Sequence, residues 1–349
     1  MQKRLKIYFL LFVLSVFNAG NLFAAEEFDV KKFIFSHIGD NYEWHITAIG
    51  ERVISVPLPV ILIDKENGIN IFISSRLRNG ASYKGYRISK DGEYANKIVY
   101  TSVSGKVCRP LDLSITMNSF ALIINCTILL IIILSVARWY RGSRQRAPKG
   151  FVGAMEIFIM DINDNVIKSA IGKGYEKYAP YLLTVFFFIL INNFMGLIPF
   201  FPGGANTTGN IAVTLVLALC TFAAISFSGT KEYWKEILWP DVPTWMKIPL
   251  PLMPAIEIFG VFTKPFALMI RLFANIMAGH TIILGLTSLI FVTVAMGAAT
   301  NIGMSALSIL LAAFMLFVEL IVAYIQAYVF TLLSAVFIGL SRVRKHATN

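Results

Sequence analysis

The sequence predicts an all-α polytopic membrane protein: about five transmembrane helices plus a short interfacial helix, ending in a long slanted helical hairpin, with a small β-rich extracytoplasmic N-terminal region. Three observations carry this. Hydrophobic residues make up 56% of the 349 positions and charged ones only 15%, with a mean hydropathy of +0.68. That balance lies outside the range of soluble globules. The apolar residues are gathered into charge-free runs long enough to cross a ~30 Å hydrocarbon core at ~1.5 Å per residue. Finally, the net charge of +11 is concentrated at helix ends. Arg138, Arg141, Arg144, Arg146 and Lys149 follow the first long run, and Arg342, Arg344 and Lys345 follow the last. By the positive-inside rule both clusters mark cytoplasmic ends, so the basicity argues for orientation and no nucleic-acid partner.

Along the chain, Lys3, Arg4 and Lys6 precede an apolar run from Ile7 to Phe17, and Ala24 and Ala25 stand before Glu26 and Glu27. Residues 1–25 read as a secretory signal peptide cut near Ala25, with a retained first helix as the alternative. Residues 26–112 are polar and carry strand signals. Val53 to Ile63 is β-branched but holds Pro57 and Pro59, which suits an edge strand. Asn67-Gly68 leads into the alternating Ile69, Ile71 and Ile73, predicting a hairpin around Asp64 to Gly68. Lys97 to Ser104 is a third strand candidate. Cys108 has no partner cysteine in this region, and Cys126 and Cys220 fall in predicted helices. The spacing of neither the cysteines nor His37 and His45 argues for a metal site.

The membrane part occupies residues 113–349. Leu113 to Ala137 is charge-free over 25 residues. Gly153 to Met160 is too short to span and reads as interfacial. The charge-free stretch from Tyr178 to Thr230, broken at Pro199, Pro202, Gly203 and Gly204, reads as two spans joined by an outside turn. Leu250 to Met296 and Gly303 to Ser341 are so long that, as helices, they are either kinked and partly interfacial or steeply slanted as a pair. Pro265 offers one bend.

Inside those two long runs charge is nearly absent. From Ile248 to Ser341 the formal charges are Glu257, Lys264, Arg271 and Glu319, with His280 as a further titratable group. An arginine at the centre of a membrane helix costs ~2.5 to 3.5 kcal/mol on insertion scales, so it faces a partner, a cavity or an ion path. At about 100° per residue Glu257, Lys264, Arg271 and Asn275 make one polar stripe, and His280 lies about 180° from Arg271. On the last helix Glu319 and Gln326, seven apart, share a face. A hairpin centred near residue 299 brings His280 level with Glu319 and Arg271 level with Gln326. An internal His280–Glu319 pair is therefore expected, and an arginine directed elsewhere.

These residues carry a resemblance. The run Pro254-Ala-Ile-Glu257-Ile-Phe-Gly-Val-Phe-Thr-Lys264-Pro-Phe-Ala-Leu-Met-Ile-Arg271-Leu-Phe-Ala-Asn275-Ile-Met-Ala-Gly-His280 resembles the signature of the F-type ATP synthase a subunit, the stationary proton-channel subunit beside the rotor ring. Ile325-Gln326-Ala-Tyr-Val-Phe330 is similar to that family's final-helix motif, and Asn193-Phe-Met-Gly-Leu-Ile-Pro199 to its mid-chain segment. The resemblance covers roughly residues 113 to 342.

It implies that Arg271 is the rotor-facing stator arginine. It also implies that Glu257, Asn275, His280, Glu319, Gln326 and Asn193 belong to the proton path. His280 and Glu319 stand where other members carry the reversed pair, and Gly196 stands where some relatives have an acidic residue. The implied partners are the rotor c-subunit ring, the peripheral-stalk b subunits, the rest of the ATP synthase complex and membrane lipid. The implied location is a bacterial inner membrane, with the N-terminal region outside and the C-terminus cytoplasmic. No cofactor, metal or nucleotide site of its own is implied, so the chain is not expected to be an enzyme by itself.

The residues also leave rival readings. Glu257 and Lys264 could be a solvated pair at a cytoplasmic end, Asn193 and Gln326 ordinary interhelical hydrogen-bonders, and His280 with Glu319 a structural pair. An autonomous transporter, or an envelope protein whose exported domain binds a partner, are the alternatives for the whole chain. No HExxH, GxxxxGK[ST] or nucleophile-elbow pattern supports an intramembrane enzyme.

Overall fold

The computed structural model describes residues 29–49, 52–64, 68–89, 94–102, 105, 107–142, 147–198, 201–238 and 252–342. The expected signal peptide lies outside them, as do Pro199, Asp241 and the basic residues Arg344 and Lys345. Two compact units divide the chain: Met1–Gly39 with Asn275–Val322, and Asp40–Ala274 with Ala323–Asn349.

After helix α1 (Val30–Ile38) come strands β1 (Glu43–Ile49), β2 (Arg52–Pro57), β3 (Pro59–Asp64), β4 (Gly68–Ile73), β5 (Tyr86–Ile88), β6 (Ile98–Thr101), β7 (Val107–Cys108) and β8 (Leu111–Asp112). They form an antiparallel hairpin β1-β2 and two three-stranded sheets, β4-β3-β8 and β5-β6-β7. The β3–β4 hairpin has the anticipated position, with Asp64 opposite Gly68. In contrast to the edge strand expected over Val53 to Ile63, the run divides at Leu58 into two strands of different sheets, and β3 is central. Pro59 is tolerated there because it opens the strand, where its missing N–H interrupts no ladder. Val60, Leu62 and Phe72 pack with Tyr42, Leu77, Tyr86 and Ile98 in a small core.

Pairing continues beyond β8, since the Leu113 and Ile115 N–H groups donate to Ile61 and Pro59 carbonyls. The strand therefore runs almost directly into the first long helix, α2 (Met117–Gly142). Trp44 and Leu58 of the β-rich region share a buried cluster with Met117, Ala121 and Ala205. The Asn41 carbonyl accepts from Met117 N–H, and the Asp40 carboxylate accepts from Asn118 N–H at 3.0 Å. The β-rich region is thus seated on the N-terminal end of α2.

The segment expected to be short and interfacial is longer. Helix α3 (Phe151–Asp161) continues through a π-helical stretch, Ile162–Lys168, into a last turn, Ser169–Ile171. Charged and amide residues between Asp161 and Lys168 hid this continuation from a reading by apolarity, yet Ile162, Val166 and Ile167 are buried. Helices α4 (Ala179–Leu197) and α5 (Ile211–Ser228) follow, joined through the Pro/Gly-rich turn. Then come the short α6 (Lys231–Leu238) and two very long helices, α7 (Leu252–Val292) and α8 (Ala298–Ser341). Helix α7 passes through Pro265 without a break in its assignment. Among the described residues five helices, α2, α4, α5, α7 and α8, are long and apolar enough to cross a membrane.

Between α7 and α8 a 3-10 turn, Thr293–Met296, ends at Gly297, whose φ of +102° a side chain would strain. Thr293 bonds to Asn301 at 2.8 Å, and Ser308 donates to the Leu286 carbonyl. Both pairs are centred on Gly297, two residues before the expected centre. In the second unit the end of α8 is fastened by its backbone. Thr230 N–H donates to the Ser341 carbonyl at 3.0 Å, and the Arg342 guanidinium reaches the Gly174 carbonyl and lies 5.2 Å from the Tyr178 ring centroid.

Candidate functional site

Arg271 occupies the middle of α7. Its helical neighbours Leu268, Met269 and Leu272 are buried at 2%, 5% and 1% exposure, while Arg271, Ala274 and Asn275 are exposed. The helix therefore keeps its apolar side for packing and turns the guanidinium outward. Arg271 takes part in neither of the two ion pairs among the described residues, Arg78–Glu43 and His280–Glu319, and no hydrogen bond joins it to Gln326. Guanidinium is permanently charged and presents five donors. Exposed on an apolar helix, it needs a partner, a cavity or an ion path.

The rest of the polar stripe separates by depth. Glu257, near the start of α7, is exposed. Its charge reaches Tyr233 on α6, outside the spans, where burial first and Glu257 second push the phenol above its ordinary 10.0. Lys264 lies 5.6 Å from the Phe337 ring centroid of α8, a cation–π contact that gives its ammonium an internal partner. Arg271 is thus the stripe's outward-facing cation.

On α8, Gln326 is buried. One turn earlier the Ala323 carbonyl accepts from Asn193 Nδ2 at 3.0 Å, so α4 docks its asparagine on the face of α8 that carries Gln326. Asn193 Oδ1 is buried with no partner among the described residues. The adjacent Asn192, not singled out from sequence, pairs with Asn125 of α2. The available signal was simple: both are amides within long charge-free runs, where polar side chains are costly and therefore informative.

His280 and Glu319 belong to the other unit. His280 Nδ1 and Glu319 Oε1 are 3.5 Å apart, and Glu319 is 3% exposed. Neither carboxylate oxygen has a hydrogen-bond partner among the described residues. A Cβ at Gly279 would stand 2.7 Å from Glu319 Oε1, so the glycine leaves the space that the carboxylate occupies. Sequence spacing identified the pair but not the role of Gly279. Asn275, expected on the same path, is exposed on α7.

Taken together, the fold is that of a polytopic membrane protein, with one arginine turned outward from an apolar helix and a buried carboxyl beside a half-buried imidazole within the helical hairpin. A family model described as ATP synthase A chain matches residues 120–339, more than half of the chain, and the chain belongs to that family. A second model, a domain of unknown function (DUF8433), matches residues 33–113. Among curated relatives, ATP synthase subunit a of Chlorobium phaeobacteroides is 45% identical over 236 residues, covering 66% of this chain and 66% of that protein. ATP synthase subunit a 2 of Chlorobaculum tepidum is 46% identical over 237 residues, covering 66% and 64% respectively. ATP synthase subunit a of Myxococcus xanthus is 39% identical over 245 residues, covering 68% and 75%. The chain thus spans just under two thirds of the length of the first two relatives.

Proposed function

We propose that this chain is the stationary ion-translocating subunit of an F-type ATP synthase, in which Arg271 faces the carboxylates of a rotor c-subunit ring. The observation that carries the reading is the outward guanidinium of Arg271, on an apolar helix and without a counter-ion among the described residues. Membership of the ATP synthase A chain family supports it.

The mechanism follows from electrostatics. A ring carboxylate moves through lipid only when neutral, because a buried charge is far costlier than a protonated carboxyl. Beside Arg271 the ionised form is favoured, so the carboxyl releases its proton to one half-channel and takes another from the second after passing. A membrane potential supplies ~2.3 kcal/mol per charge per 100 mV, which biases the direction of rotation. The fixed positive charge also keeps protons from passing between the half-channels without turning the ring.

In this reading Asn193, Gln326, Asn275, His280 and Glu319 serve the proton path, and Glu257 serves its cytoplasmic end. Peripheral-stalk b subunits hold the chain against the ring. Residues 1–25 form a signal peptide, residues 26–112 an extracytoplasmic region and residues 113–349 the membrane domain. The protein lies in a bacterial inner membrane with its C-terminus in the cytoplasm, and nucleotide chemistry takes place on other subunits.

The test is ATP-driven proton pumping in inverted membrane vesicles carrying Arg271→Ala, after confirming insertion and assembly. Loss of pumping in an assembled complex is the expected result; normal coupled pumping overturns the assignment.

A further inference from the structure

Strands β3, β4 and β8 form a sheet with one face on the small core and the other left bare. Three cross-strand rungs define the bare face. Ile63 stands opposite Ile69 of β4 and Leu111 of β8. Ile61 stands opposite Ile71, and its carbonyl accepts from Leu113 N–H. Pro59 stands opposite Ile73, and its carbonyl accepts from Ile115 N–H. Directly opposed residues point to the same side of a sheet, so nine side chains share one surface, and every one of them is apolar.

None of the nine is buried. Ile69, Ile71 and Ile73 are 69%, 67% and 53% exposed, and Leu111 and Leu113 are 61% and 55% exposed. An antiparallel sheet with one face in water normally places polar residues on that face. A contiguous apolar patch on the order of several hundred Å² instead marks an interaction site. Strand β4 is also an edge of its sheet, and an uncovered hydrophobic edge is one that proteins avoid.

Where the strands end says what covers the face. Strand β8 reaches α2 through Leu113, Ser114, Ile115 and Thr116 alone. Counting ~20 residues, or ~30 Å of helix, back from Arg138 puts the hydrocarbon boundary near Asn118. Trp44 meets Phe120 edge-on at 6.0 Å, and tryptophan gathers at that boundary. The lowest rung holds Ile115, three residues from Asn118 and so at most ~10 Å of chain away. The headgroup layer is itself ~5 to 7 Å deep, and each higher rung adds at most ~7 Å. Arg76 is exposed three residues beyond Ile73, a cation at this level suited to anionic headgroups.

We propose that the bare face of the β4-β3-β8 sheet docks on the lipid surface beside α2. The rung of Pro59, Ile73 and Ile115 lies deepest and the rung of Ile63, Ile69 and Leu111 shallowest. The β-rich region is then held to the bilayer by its own isoleucines as well as by its seat on α2. This goes beyond ion translocation and does not depend on it.

The experiment places a nitroxide at Ile69→Cys, Ile71→Cys and Ile73→Cys, one at a time. The chain has its three native cysteines replaced by alanine and stands in a complex otherwise free of cysteine. Assembled complexes are reconstituted in vesicles of phosphatidylethanolamine and phosphatidylglycerol. Spin relaxation by oxygen, which partitions into lipid, is compared with relaxation by a water-soluble nickel chelate.

Oxygen should prevail at Ile71→Cys and Ile73→Cys, with the oxygen-to-nickel ratio falling in the order 73, 71, 69. Nickel prevailing at all three positions overturns the proposal, because the face is then open to water. Weak relaxation by both reagents also overturns it, because a protein surface, a second copy of this chain included, then covers the face. Should a label on β4 prevent assembly, Leu111→Cys and Leu113→Cys on the β8 side carry the same comparison, with position 113 expected deeper than 111.

Discussion

His280 Nδ1 lies 3.5 Å from Glu319 Oε1 across the α7–α8 hairpin, and the carboxylate occupies the space left by the absent side chain of Gly279. Glu319 is buried and His280 half-buried within the first unit, while the polar atoms around Gln326 and Asn193 belong to the second. Removing one member leaves the other without its partner in an apolar setting.

Exchange of the two residues tests whether the pair acts as a unit. His280→Ala or Glu319→Ala alone should lower the stability of the assembled subunit, with the cost of a broken buried ion pair, ~3 to 5 kcal/mol, as the upper bound. The double exchange His280→Glu with Glu319→His restores the same two groups in reversed order. Pumping closer to native in the exchange than in either single exchange variant is the expected outcome, and pumping no better than in the worse single variant would argue against pairing.

Gly279→Ala places a methyl 2.7 Å from Glu319 Oε1. The obstructed atom is the end of a flexible side chain, so the carboxylate moves and the helix survives. Assembly should remain native while pumping falls, and adding Glu319→Asp, which shortens the obstructed side chain, should recover part of it. Loss of the subunit from the membrane would refute this explanation.

Arg271→Lys distinguishes charge from geometry. Lysine keeps the positive charge but lacks the planar five-donor fork. If the guanidinium engages rotor carboxylates, the variant inserts and assembles yet couples poorly. Full coupling would show that a point charge suffices.

Tyr42, 6% exposed, donates its phenolic hydrogen to Asp112 and joins β-rich core to strand end. Burial first, then the bond to Asp112, raise its ionisation above the ordinary 10.0. A raised phenol contributes stability that is fully present below pH 10 and is lost as the pH rises beyond it toward the folded value. Tyr42→Phe should cost about 1.5 to 3 kcal/mol, the range for a hydrogen bond to a charged group. It should also remove one strongly alkaline step from a phenolate absorbance titration. An unchanged titration would place Tyr42 outside the core.

Much of this is legible in the amino-acid sequence alone. Five apolar runs appeared as helices because the period and length of an apolar segment report directly on its solvent. The His280–Glu319 contact was legible because antiparallel helices joined by a short turn bring residues nearly equidistant from that turn side by side, although the turn itself is centred on Gly297. Asn125 and Asn192 were not singled out, since a lone amide in an apolar run does not reveal its partner on another helix. The π-helical stretch after Asp161 was hidden because its charges point outward while Ile162, Val166 and Ile167 are buried.

What the amino-acid order determined by itself was the membrane class, the helix count, the polar stripe and the scarcity of charge around Arg271, all of them properties of local composition and helical period. Only the tertiary structure decided which way each face turns. In β4 it buries Asn70 and Phe72 and leaves Ile69, Ile71 and Ile73 exposed, the reverse of what hydrophobicity alone prefers, because Phe72 packs against Tyr83 and Tyr86 and Asn70 bonds to the Tyr86 hydroxyl. In α7 it buries Leu268 and Leu272 and turns Arg271 outward. Periodicity names the residues that share a face; the packing of distant segments, which no local pattern encodes, decides whether that face meets the core or the world outside.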